Sequence, residues 1–439
     1  MNLFFRRTVA PLAALACFAL AQDAQNVFGP EQRKLLAASF EEVWTTVRDK
    51  HYDPSLGGLD WQKVYDEFKP RIDAAESMDA GRAIMNEMLG RLKQTHIGVI
   101  PASAYRDLSE GGERGGGTFT PGMDVRVLEG KAIVTRVEAG SPASKAGVRP
   151  GWEILRADGR EALLGIKRVE ELYSKSTQKD LMGSRVILSY VNGAPSQATE
   201  IEFHDGKEAK AIKLDRAEPR GAKVKYGEMP ASYFWVETNF RDDGIRVIQF
   251  NFWFNPEAVA KAFSEIMADA DKAKGFIIDL RGNPGGIGGM AMGAAGWFTS
   301  QSGLKLGTMA MRGTTLNFVV FPRPNATNAP VAILIDGCSA STSEIFAGGM
   351  QDLKRARIFG TRTAGAALPS TFTRLPNGDG FQYIVANYIS QGGKPLEGLG
   401  VEPDETVRLT QQGLLAGKDE VMDRAIEWIK WGIMDKRHQ

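Results

Sequence analysis

The stretch VAILIDGCSASTSE, residues 331–344, joins a buried-strand pattern to a cluster of small hydroxyl residues. Val331 to Ile335 is a short apolar run typical of a core strand, and Glu344 to Leu353 has helical spacing. A turn from strand to helix places side-chain hydroxyls beside unpaired backbone N–H groups, where the helix dipole favours negative charge. A serine nucleophile is usually built at such a turn. Ser and Thr are also the commonest helix caps, so an ordinary cap fits the local pattern equally well.

Length and charge indicate the number of domains and the class of partner. With 439 residues, two or three hydrophobic cores are expected. The 54 Lys and Arg residues nearly balance the 53 Asp and Glu residues. This balance gives no electrostatic reason to expect nucleic acid or an acidic membrane surface as a partner.

The amino terminus predicts export. Arg6 and Arg7 precede an apolar stretch from Thr8 to Ala21 that closes on small residues, which is typical of a secretory signal peptide. The stretch is shorter than the roughly 20 residues that a spanning helix needs. We therefore predict a signal peptide over residues 1–21 with cleavage near Ala21, a periplasmic or secreted product, and no integral membrane segment in the mature chain. A membrane anchor and a lipoprotein attached through Cys17 are the weaker alternatives.

The predicted cleavage removes Cys17 from the mature chain. Cys338 is then the one cysteine of the mature chain, which excludes an internal disulfide. Its place in the hydroxyl-rich turn makes it a rival nucleophile.

Periodicity and composition divide the mature chain into three parts. A helical pattern from 30 to 92 indicates a helical domain over residues 22–112, and a Gly-rich linker follows at 109–118. A β-rich domain is predicted over 118–216, and alternating strands and helices predict an α/β core over 230–439. In the β-rich domain the predicted strands are Met123–Val127, Ala132–Val137, Trp152–Ala157, Arg185–Val191 and Ala211–Leu214. In the core the predicted elements are Ile245–Phe250, Pro256–Ala270, Gly275–Leu280, Gly289–Phe298, Val331–Ile335, Ser343–Leu353 and Arg357–Gly360.

Within the β-rich domain the segment AGSPASKAGVRPGW, residues 139–152, resembles the PDZ family. The match covers about residues 118–216. In that family a loop captures a peptide's terminal carboxylate on backbone N–H groups, and the following strand binds the peptide by β-augmentation. The resemblance implies peptide binding at Gly122, Met123, Asp124 and Val125. A purely scaffolding β-domain is the alternative.

A Gly-rich loop, DLRGNPGGIGG at residues 279–289, follows a predicted strand and precedes a helix. Its glycines let the backbone approach a ligand closely. A nucleotide site does not fit, because no Gly-Lys-Ser/Thr closes the loop and Pro284 lacks an N–H donor. The loop is interpreted as an oxyanion-binding loop that faces Ser341, or as a tight turn.

A serine hydroxyl needs a base to remove its proton, so the histidines matter. The chain has four. His96 lies where a helix ends and an extended segment begins, a position at which a single histidine is more often a capping residue than a base.

Several ordered motifs together resemble the C-terminal-processing protease family, over about Phe40 to Val407. These motifs are strand-Asp-x-Arg-x-Asn-x-Gly-Gly, Ser-Ala-Ser-x-Ser-Glu with Gln-Asp downstream, and Gly-Leu-Gly-Val-Glu-Pro-Asp. All of them lie on the C-terminal side of the PDZ-like module. The resemblance implies a multidomain α/β protein with an N-terminal helical domain, a PDZ-like β-rich domain and an α/β catalytic core of the crotonase/Clp-protease type.

One departure from the family pattern decides the branch. The family's lysine base lies in Thr-x-Gly-Lys-Gly, whereas this chain has TAGAA at 363–367, with Ala366 at the lysine position. A dyad would need Lys354 or Lys394 from elsewhere. The tricorn-protease-like branch uses a histidine in a Ser-His motif ahead of its PDZ module, and Thr95-His96 is similar to that motif.

The resemblance then implies the site. Ser341 is the nucleophile, His96 is the base and then the acid, and Thr95 with Glu397 orients the imidazole, as in a serine triad. The backbone N–H groups of Thr342 and of Gly285 or Gly286 form the oxyanion hole.

These inferences predict an exported serine endopeptidase that cleaves peptides or unfolded proteins, with the PDZ-like module binding or gating the substrate. One alternative is a catalytically silent peptide- or ligand-binding protein, since interphotoreceptor retinoid-binding protein carries ligands on the same fold. Another is a PDZ-centred scaffold. No metal site is indicated, because the histidines are scattered and Cys338 stands alone. No cofactor is expected, and the oligomeric state and the substrate's identity are not predicted.

Overall fold

The computed structural model describes residues 28–102, 119–194, 197–228 and 231–435. The predicted signal peptide and the Gly-rich linker lie outside the described residues. The described α-helices are Pro30–Lys50, Trp61–Asp73, Met78–Gly90, Pro142–Lys145, Ala162–Leu172, Lys179–Val191, Pro256–Ile266, Gly289–Ala295, Thr342–Asp352, Gln411–Leu415 and Glu420–Asp435. None of them is both long enough and apolar enough to span a membrane.

Twenty strands form five sheets among these residues. They are β1 Gly98–Ile100, β2 Met123–Leu128, β3 Lys131–Val137, β4 Glu153–Ala157, β5 Arg160–Glu161, β6 Thr199–His204, β7 Ala209–Leu214, β8 Ala222–Val224, β9 Ser232–Phe234, β10 Val236–Phe240, β11 Ile245–Phe250, β12 Gly275–Asp279, β13 Lys305–Met311, β14 Thr314–Val319, β15 Val331–Ile335, β16 Arg357–Gly360, β17 Ser370–Arg374, β18 Gly380–Ile384, β19 Ala386–Ser390 and β20 Glu405–Thr406.

The amino-terminal helices lie where the periodicity predicts them. The Pro30–Lys50 helix starts with proline at its first turn, where the missing N–H costs nothing, and it buries Phe40 and Val43. This helical layer shares its hydrophobic cluster with residues of the β17–β18 hairpin, among them Phe381 and Tyr383. Strand β1 also pairs antiparallel with β18. The amino-terminal part is therefore built onto the core and brings the residues just before β1 to it.

Residues 119–216 form a β-rich module around the sheet β2-β3-β4-β6-β7, with β2 at one edge. Four of the five predicted strands are confirmed in place. The strand predicted at Arg185–Val191 is wrong, because these residues belong to the Lys179–Val191 helix. Its buried residues Leu181, Ser184 and Ile187 follow helical spacing, and packing against β2 outweighs the β propensity of Val and Ile.

The core centres on a six-stranded sheet in the order β10-β11-β12-β15-β16-β20. The β10–β11 pair is antiparallel and the remaining pairs are parallel. Strands β12 and β15 are buried at every residue and adjacent, which explains their continuous apolar sequence. The loops after them therefore leave the same edge of the sheet side by side. The predicted core strands and helices are confirmed within a few residues. The β13–β14 and β17–β18 hairpins were not predicted from the sequence.

Candidate active site

Ser341 stands at the turn between β15 and the Thr342–Asp352 helix. Its backbone has φ 54° and ψ −117°, an unusual conformation for a residue with a side chain. The N–H of Ser341 donates to Ala366 O at 2.8 Å and to Glu344 Oε2 at 2.8 Å. These two acceptors hold the backbone in its strained conformation, and the half-buried hydroxyl faces a cleft.

Glu344 is fully buried beneath this turn. Besides Ser341 N–H, its carboxylate accepts the Thr363 hydroxyl at 2.6 Å and the backbone N–H groups of Gly365 and Ala366 at 2.8 and 3.0 Å. Burial raises the pKa of Glu344 to about 7, and the hydrogen bonds donated to it oppose that rise. Glu344 therefore ties the backbone of Ser341 to the segment 363–367, which contains Ala366.

The Gly-rich loop after β12 packs directly against Ser341. Gly285 has φ +99°, and a Cβ on it would lie 2.6 Å from Ser341 Cβ and 2.9 Å from Thr342 N. The Asn283 carbonyl accepts from Ala340 N–H and from the Ser343 hydroxyl. Only glycine fits position 285, because both its backbone angle and the available space exclude a side chain.

Three backbone N–H groups near Ser341 differ in their hydrogen bonding within the described residues. Gly285 N–H already donates to Asn283 Oδ1 at 3.0 Å. No acceptor in the described part of the chain takes the N–H of Gly286 or of Thr342. The Thr342 donor also begins an 11-residue helix, whose dipole favours negative charge at this end.

Thr95, His96 and Glu397 form a continuous chain of hydrogen bonds. Glu397 Oε1 accepts from Thr95 N–H at 2.9 Å, and Oε2 accepts from the Thr95 hydroxyl at 2.9 Å and from Ala367 N–H at 3.0 Å. Thr95 Oγ1 lies 2.7 Å from His96 Nδ1. A hydroxyl has one proton, so a hydroxyl that donates to Glu397 accepts from the ring, which puts the ring proton on Nδ1 and leaves Nε2 free to accept a proton.

The surroundings of His96 keep its ring neutral. Burial lowers the pKa of His96 from 6.5 to about 4, and the positive charge of Arg185 acts in the same direction. Burial raises the pKa of Glu397, and the hydrogen bonds donated to its carboxylate oppose that rise. A neutral imidazole with a free nitrogen is a proton acceptor at pH 7.

Ser341 and His96 line one cleft of about 530 Å³, although the residues are 245 positions apart, which is 341 minus 96. In the described residues no hydrogen bond joins their side chains. The cleft also contains Gly286 and Thr342, and its walls are largely apolar, with Phe254, Met292, Phe318 and Phe372 among them. The cleft thus contains a hydroxyl, a proton acceptor and two free N–H donors.

One wall comes from the β-rich module. The Lys179–Val191 helix, which we call the cleft helix, places Leu181 in an apolar cluster with Cys338, Ala340 and Ala366. Just before this helix the Thr177 hydroxyl donates to Ala364 O at 2.6 Å. The module therefore contacts both segments that flank the nucleophile.

A half-buried ion pair makes a second connection to the module. Arg126 of β2 contacts Asp336 with Nε–Oδ2 at 2.9 Å, and its guanidinium lies against Gly282. Asp336 also accepts from the N–H groups of Gly282 and Cys338, both at 2.9 Å. The pair raises the pKa of Arg126 against the opposing effect of burial, and it lowers the pKa of Asp336 in the same way. One arginine thus contacts the loops after both β12 and β15.

The alternative nucleophile and bases are placed elsewhere. Cys338 is buried with its Sγ 3.5 Å from Ser184 Oγ, outside the cleft lining, and burial raises the pKa of its thiol to about 12. Ala366 lines the cleft where the lysine would be, while Lys354 and Lys394 are exposed and do not line it. Among the described residues, no lysine reaches Ser341.

The residues predicted to bind peptide begin strand β2. Gly122 has φ +83°, its N–H donates to Thr120 Oγ1 at 3.1 Å, and a Cβ would collide with Ser141. Met123 and Val125 are buried, and Asp124 lies within 3.9 Å of Arg136. Side chains of β2 contact the cleft helix, where Gly183 approaches Val127 so closely that a Cβ on Gly183 would lie 2.8 Å from Val127 Cγ2.

Sequence reasoning missed three residues of this region. Glu344 has a readable signal, since Ser341-x-x-Glu344 is the pattern of a capping box. Arg185 was missed because the predicted strand began at Arg185 and left Leu181 outside the element, whereas the helix includes both residues. Arg126 has no local signal, since its partner is 210 positions away.

Two family models match parts of this chain. The model described as Peptidase family S41 matches residues 244–407, and the Tricorn protease C1 domain matches residues 36–90. The first match contains Ser341 and Glu397, and the second ends just before Thr95.

Curated proteins match most of the chain. It is 27% identical to the carboxyl-terminal-processing protease of Synechocystis sp., over 86% of this chain and 81% of that protein. It is 24% identical to carboxyl-terminal-processing peptidase 3, chloroplastic, of Arabidopsis thaliana, over 83% of this chain and 67% of that protein.

Solved structures share the fold. The photosystem II D1 C-terminal processing protease superposes with a TM-score of 0.56 at 21% identity, over 88% of this chain and 98% of that one. Mature CPAF complexed with lactacystin gives a TM-score of 0.60 at 14% identity, over 92% of this chain and 100% of that one.

Proposed function

We propose that this chain, which belongs to the C-terminal-processing protease family, hydrolyses peptide bonds through an acyl-enzyme at Ser341 with His96 as the general base. One observation carries the proposal. The hydrogen-bond chain from Glu397 through Thr95 to His96 Nδ1 fixes the ring in the cleft that Ser341 lines. Substrates would be peptides or unfolded proteins, since an open cleft with apolar walls suits an extended chain.

In the proposed reaction, Ser341 Oγ attacks the scissile carbonyl while His96 Nε2 takes the hydroxyl proton. The Nδ1–H stays bonded to Thr95, whose contact with Glu397 stabilises the positive ring. His96 then gives the proton to the leaving amine, and the peptide bond breaks. A water molecule, deprotonated by the same nitrogen, attacks the ester and releases Ser341.

The developing oxyanion would be bound by Gly286 N–H and Thr342 N–H. Both donors are free and fixed by the fold, so they need no reorganisation during the reaction. The strained backbone at Ser341, held by Glu344, directs the hydroxyl between these donors and His96.

The β-rich module would bind or gate the substrate. A peptide that adds to the outer edge of β2 would extend a strand whose side chains contact the cleft helix. Because the same helix packs on the nucleophile turn, peptide binding at Gly122, Met123, Asp124 and Val125 would move a wall of the cleft.

Export is proposed from the Arg6-Arg7 pair and the apolar stretch that follows it. The processed chain would act in the periplasm or outside the cell. An N-terminal sequence of the protein isolated from its host that begins before Ala21 would contradict cleavage.

Fluorophosphonate labelling followed by mass spectrometry of the adduct tests the proposed chemistry. We expect an adduct at Ser341 in the wild type, none in Ser341→Ala, and a loss of peptide cleavage in that variant of more than roughly a hundredfold. Cys338→Ala is the matched control and should keep both labelling and cleavage. A folded wild type without an adduct would favour the silent binding protein, and a Ser341→Ala variant that cleaves at the wild-type rate would exclude Ser341 as nucleophile.

A further inference from the structure

Residues 93–97, which we call the His96 turn, form an irregular connection between the Met78–Gly90 helix and β1. Lys93 and His96 have φ 53° and 56°, values that residues with side chains rarely adopt. Such conformations persist only where the surrounding structure fixes them. The orientation of the His96 ring therefore depends on the contacts that hold this turn.

Side chains, rather than backbone pairing, hold the His96 turn. Among the described residues, no hydrogen bond between backbone groups involves Gln94, Thr95 or His96. Glu397 binds Thr95 from the side of the core. From the side of the amino-terminal helices the turn is bound through Gln94, whose amide makes two hydrogen bonds there. The turn thus has two anchors, and the hydrogen-bond chain from Glu397 to His96 includes only the first of them.

His51 is a buried histidine that the proposed reaction does not use. Its ring is 1% exposed and stacks on the ring of Tyr52, with the centroids 4.6 Å apart. Nε2 lies 2.8 Å from Gln94 Oε1. Nδ1 lies 3.1 Å from the backbone nitrogen of Asp53 and 3.0 Å from its carbonyl oxygen. Each ring nitrogen therefore has its own partner, which is Gln94 for Nε2 and the Asp53 backbone for Nδ1.

The Gln94 amide is fixed at both of its polar atoms. Besides the contact with His51, its Nε2 donates to the Tyr52 hydroxyl at 3.4 Å, the longer of the two contacts. A glutamine side chain loses much rotamer freedom when it is ordered, so a rigid partner is needed to hold it. His51 is such a partner, because it is buried and its N–H donates to Val47 O at the end of the Pro30–Lys50 helix.

We propose that His51, acting through Gln94, is a positioning residue that fixes the His96 turn and thereby aligns the Thr95 hydroxyl and the His96 imidazole. The inference rests on the proposed function and adds a second anchor to its general base. Neither His51 nor Gln94 lines the cleft, so their loss acts on the alignment of the base and leaves the substrate contacts in place. It should lower kcat and leave KM nearly unchanged.

Two substitutions of His51 separate this role from a purely structural one. In His51→Gln the terminal amide reaches the place of Nε2 and can still bond to Gln94. In His51→Asn the shorter amide takes the place of Nδ1 and can bond only to the Asp53 backbone. We expect His51→Asn to lower kcat roughly five- to tenfold with KM within about twofold, and His51→Gln to recover most of that loss. Equal kcat values, or a more active asparagine variant, would overturn the proposal.

Gln94→Met tests the same contact from its other end, at a half-buried position. It keeps the length of the side chain, removes both hydrogen bonds and should match His51→Asn in kcat. The double variant should be no worse than either single variant, because both changes break one contact. Tyr65→Phe is the matched control, since it removes a hydrogen bond to Glu41 in the same helical layer and should keep the wild-type kcat. Additive losses, or an equal loss in the control, would overturn the proposal.

A measurement without turnover separates this proposal from the proposed function. Nitrogen NMR of the His96 ring in Ser341→Ala reports which ring nitrogen carries the proton. We expect the Nδ1–H form alone in Ser341→Ala, and a mixture of both neutral tautomers when Gln94→Met is added. If the wild type neither cleaves nor labels, the proposed function fails. The NMR comparison still decides the role of His51 and Gln94, since an unchanged tautomer in the combined variant would exclude it.

Discussion

The Glu397 carboxylate accepts a hydrogen bond from the Thr95 hydroxyl at 2.9 Å, across 302 positions of the sequence. Strand pairing makes this contact possible, because β1 begins just after His96 and pairs with β18 of the core. The same hydroxyl lies 2.7 Å from His96 Nδ1, so a single oxygen connects the carboxylate to the imidazole. The methyl group that distinguishes threonine from serine takes no part in these contacts.

Thr95→Val removes the hydroxyl and keeps the shape of the side chain. Without its acceptor the imidazole loses both its orientation and its preferred tautomer, so kcat/KM should fall roughly ten- to a hundredfold. Thr95→Ser is the matched control and should stay within about threefold of the wild type, since it keeps the oxygen. Equal activity of the valine and serine variants would contradict the relay.

His96 should titrate far below an ordinary histidine. Its pKa is lowered from 6.5 to about 4, chiefly by burial, so its ring stays neutral as the pH falls through 6.5. NMR of the imidazole signals in Ser341→Ala gives the midpoint without autolysis. Arg185→Gln removes a nearby positive charge and should raise the midpoint. A midpoint near 6.5 in both proteins would show that the ring is solvated.

Gly285→Ala tests how tightly the Gly-rich loop fits the nucleophile. The added Cβ would lie 2.6 Å from Ser341 Cβ and the residue would keep φ +99°, so the loop must shift. We expect a loss of about 1–3 kcal/mol in the free energy of unfolding, and a loss of fluorophosphonate labelling. Gly293→Ala is the matched control within the adjacent helix, where a Cβ meets nothing within 4 Å. It should stabilise the protein slightly, and equal effects of the two variants would contradict the packing argument.

Arg126→Gln tests the ion pair between the β-rich module and the core. Loss of Arg126 leaves the half-buried Asp336 carboxylate without its positive partner, which should cost about 1–3 kcal/mol in the free energy of unfolding. Peptidase activity should fall as well, because Asp336 accepts the N–H groups of Gly282 and Cys338, which belong to the two loops that lead to Gly285 and Ser341.

Urea unfolding of Arg126→Gln, Asp336→Asn and the double variant completes the cycle. Arg156→Gln is the control, because its pair with Glu161 is exposed and is worth less than about 1 kcal/mol. Additive effects of the Arg126 and Asp336 changes would show that the two side chains are not coupled.

The local sequence was sufficient to predict most strands of the six-stranded core sheet. Strands β11, β12, β15 and β16 are short apolar runs bounded by turn residues, and burial on both faces allows little else. The nucleophile turn and the Gly-rich loop follow because adjacent parallel strands end at one edge of the sheet.

The remaining features depend on contacts between residues far apart in the sequence, which no local pattern predicts. The segment RVILSYV at 185–191 has the composition of a strand, yet it completes a helix because Gly183 and Ile187 pack against the β-rich sheet. Glu397 and Thr95 were paired through a resemblance, since nothing in either segment indicates the other. Arg185 and Arg126 are ordinary surface residues by sequence, and their surroundings come entirely from the tertiary fold.

The span of 302 positions between Thr95 and Glu397 has a consequence during biosynthesis. A ribosome that has just completed the nucleophile turn has not yet made the carboxylate that orients the imidazole. The emerging polypeptide therefore contains Ser341 and His96 before the carboxylate that holds Thr95 exists. Under the proposed function, translation order alone would delay catalysis until residue 397 has been synthesised.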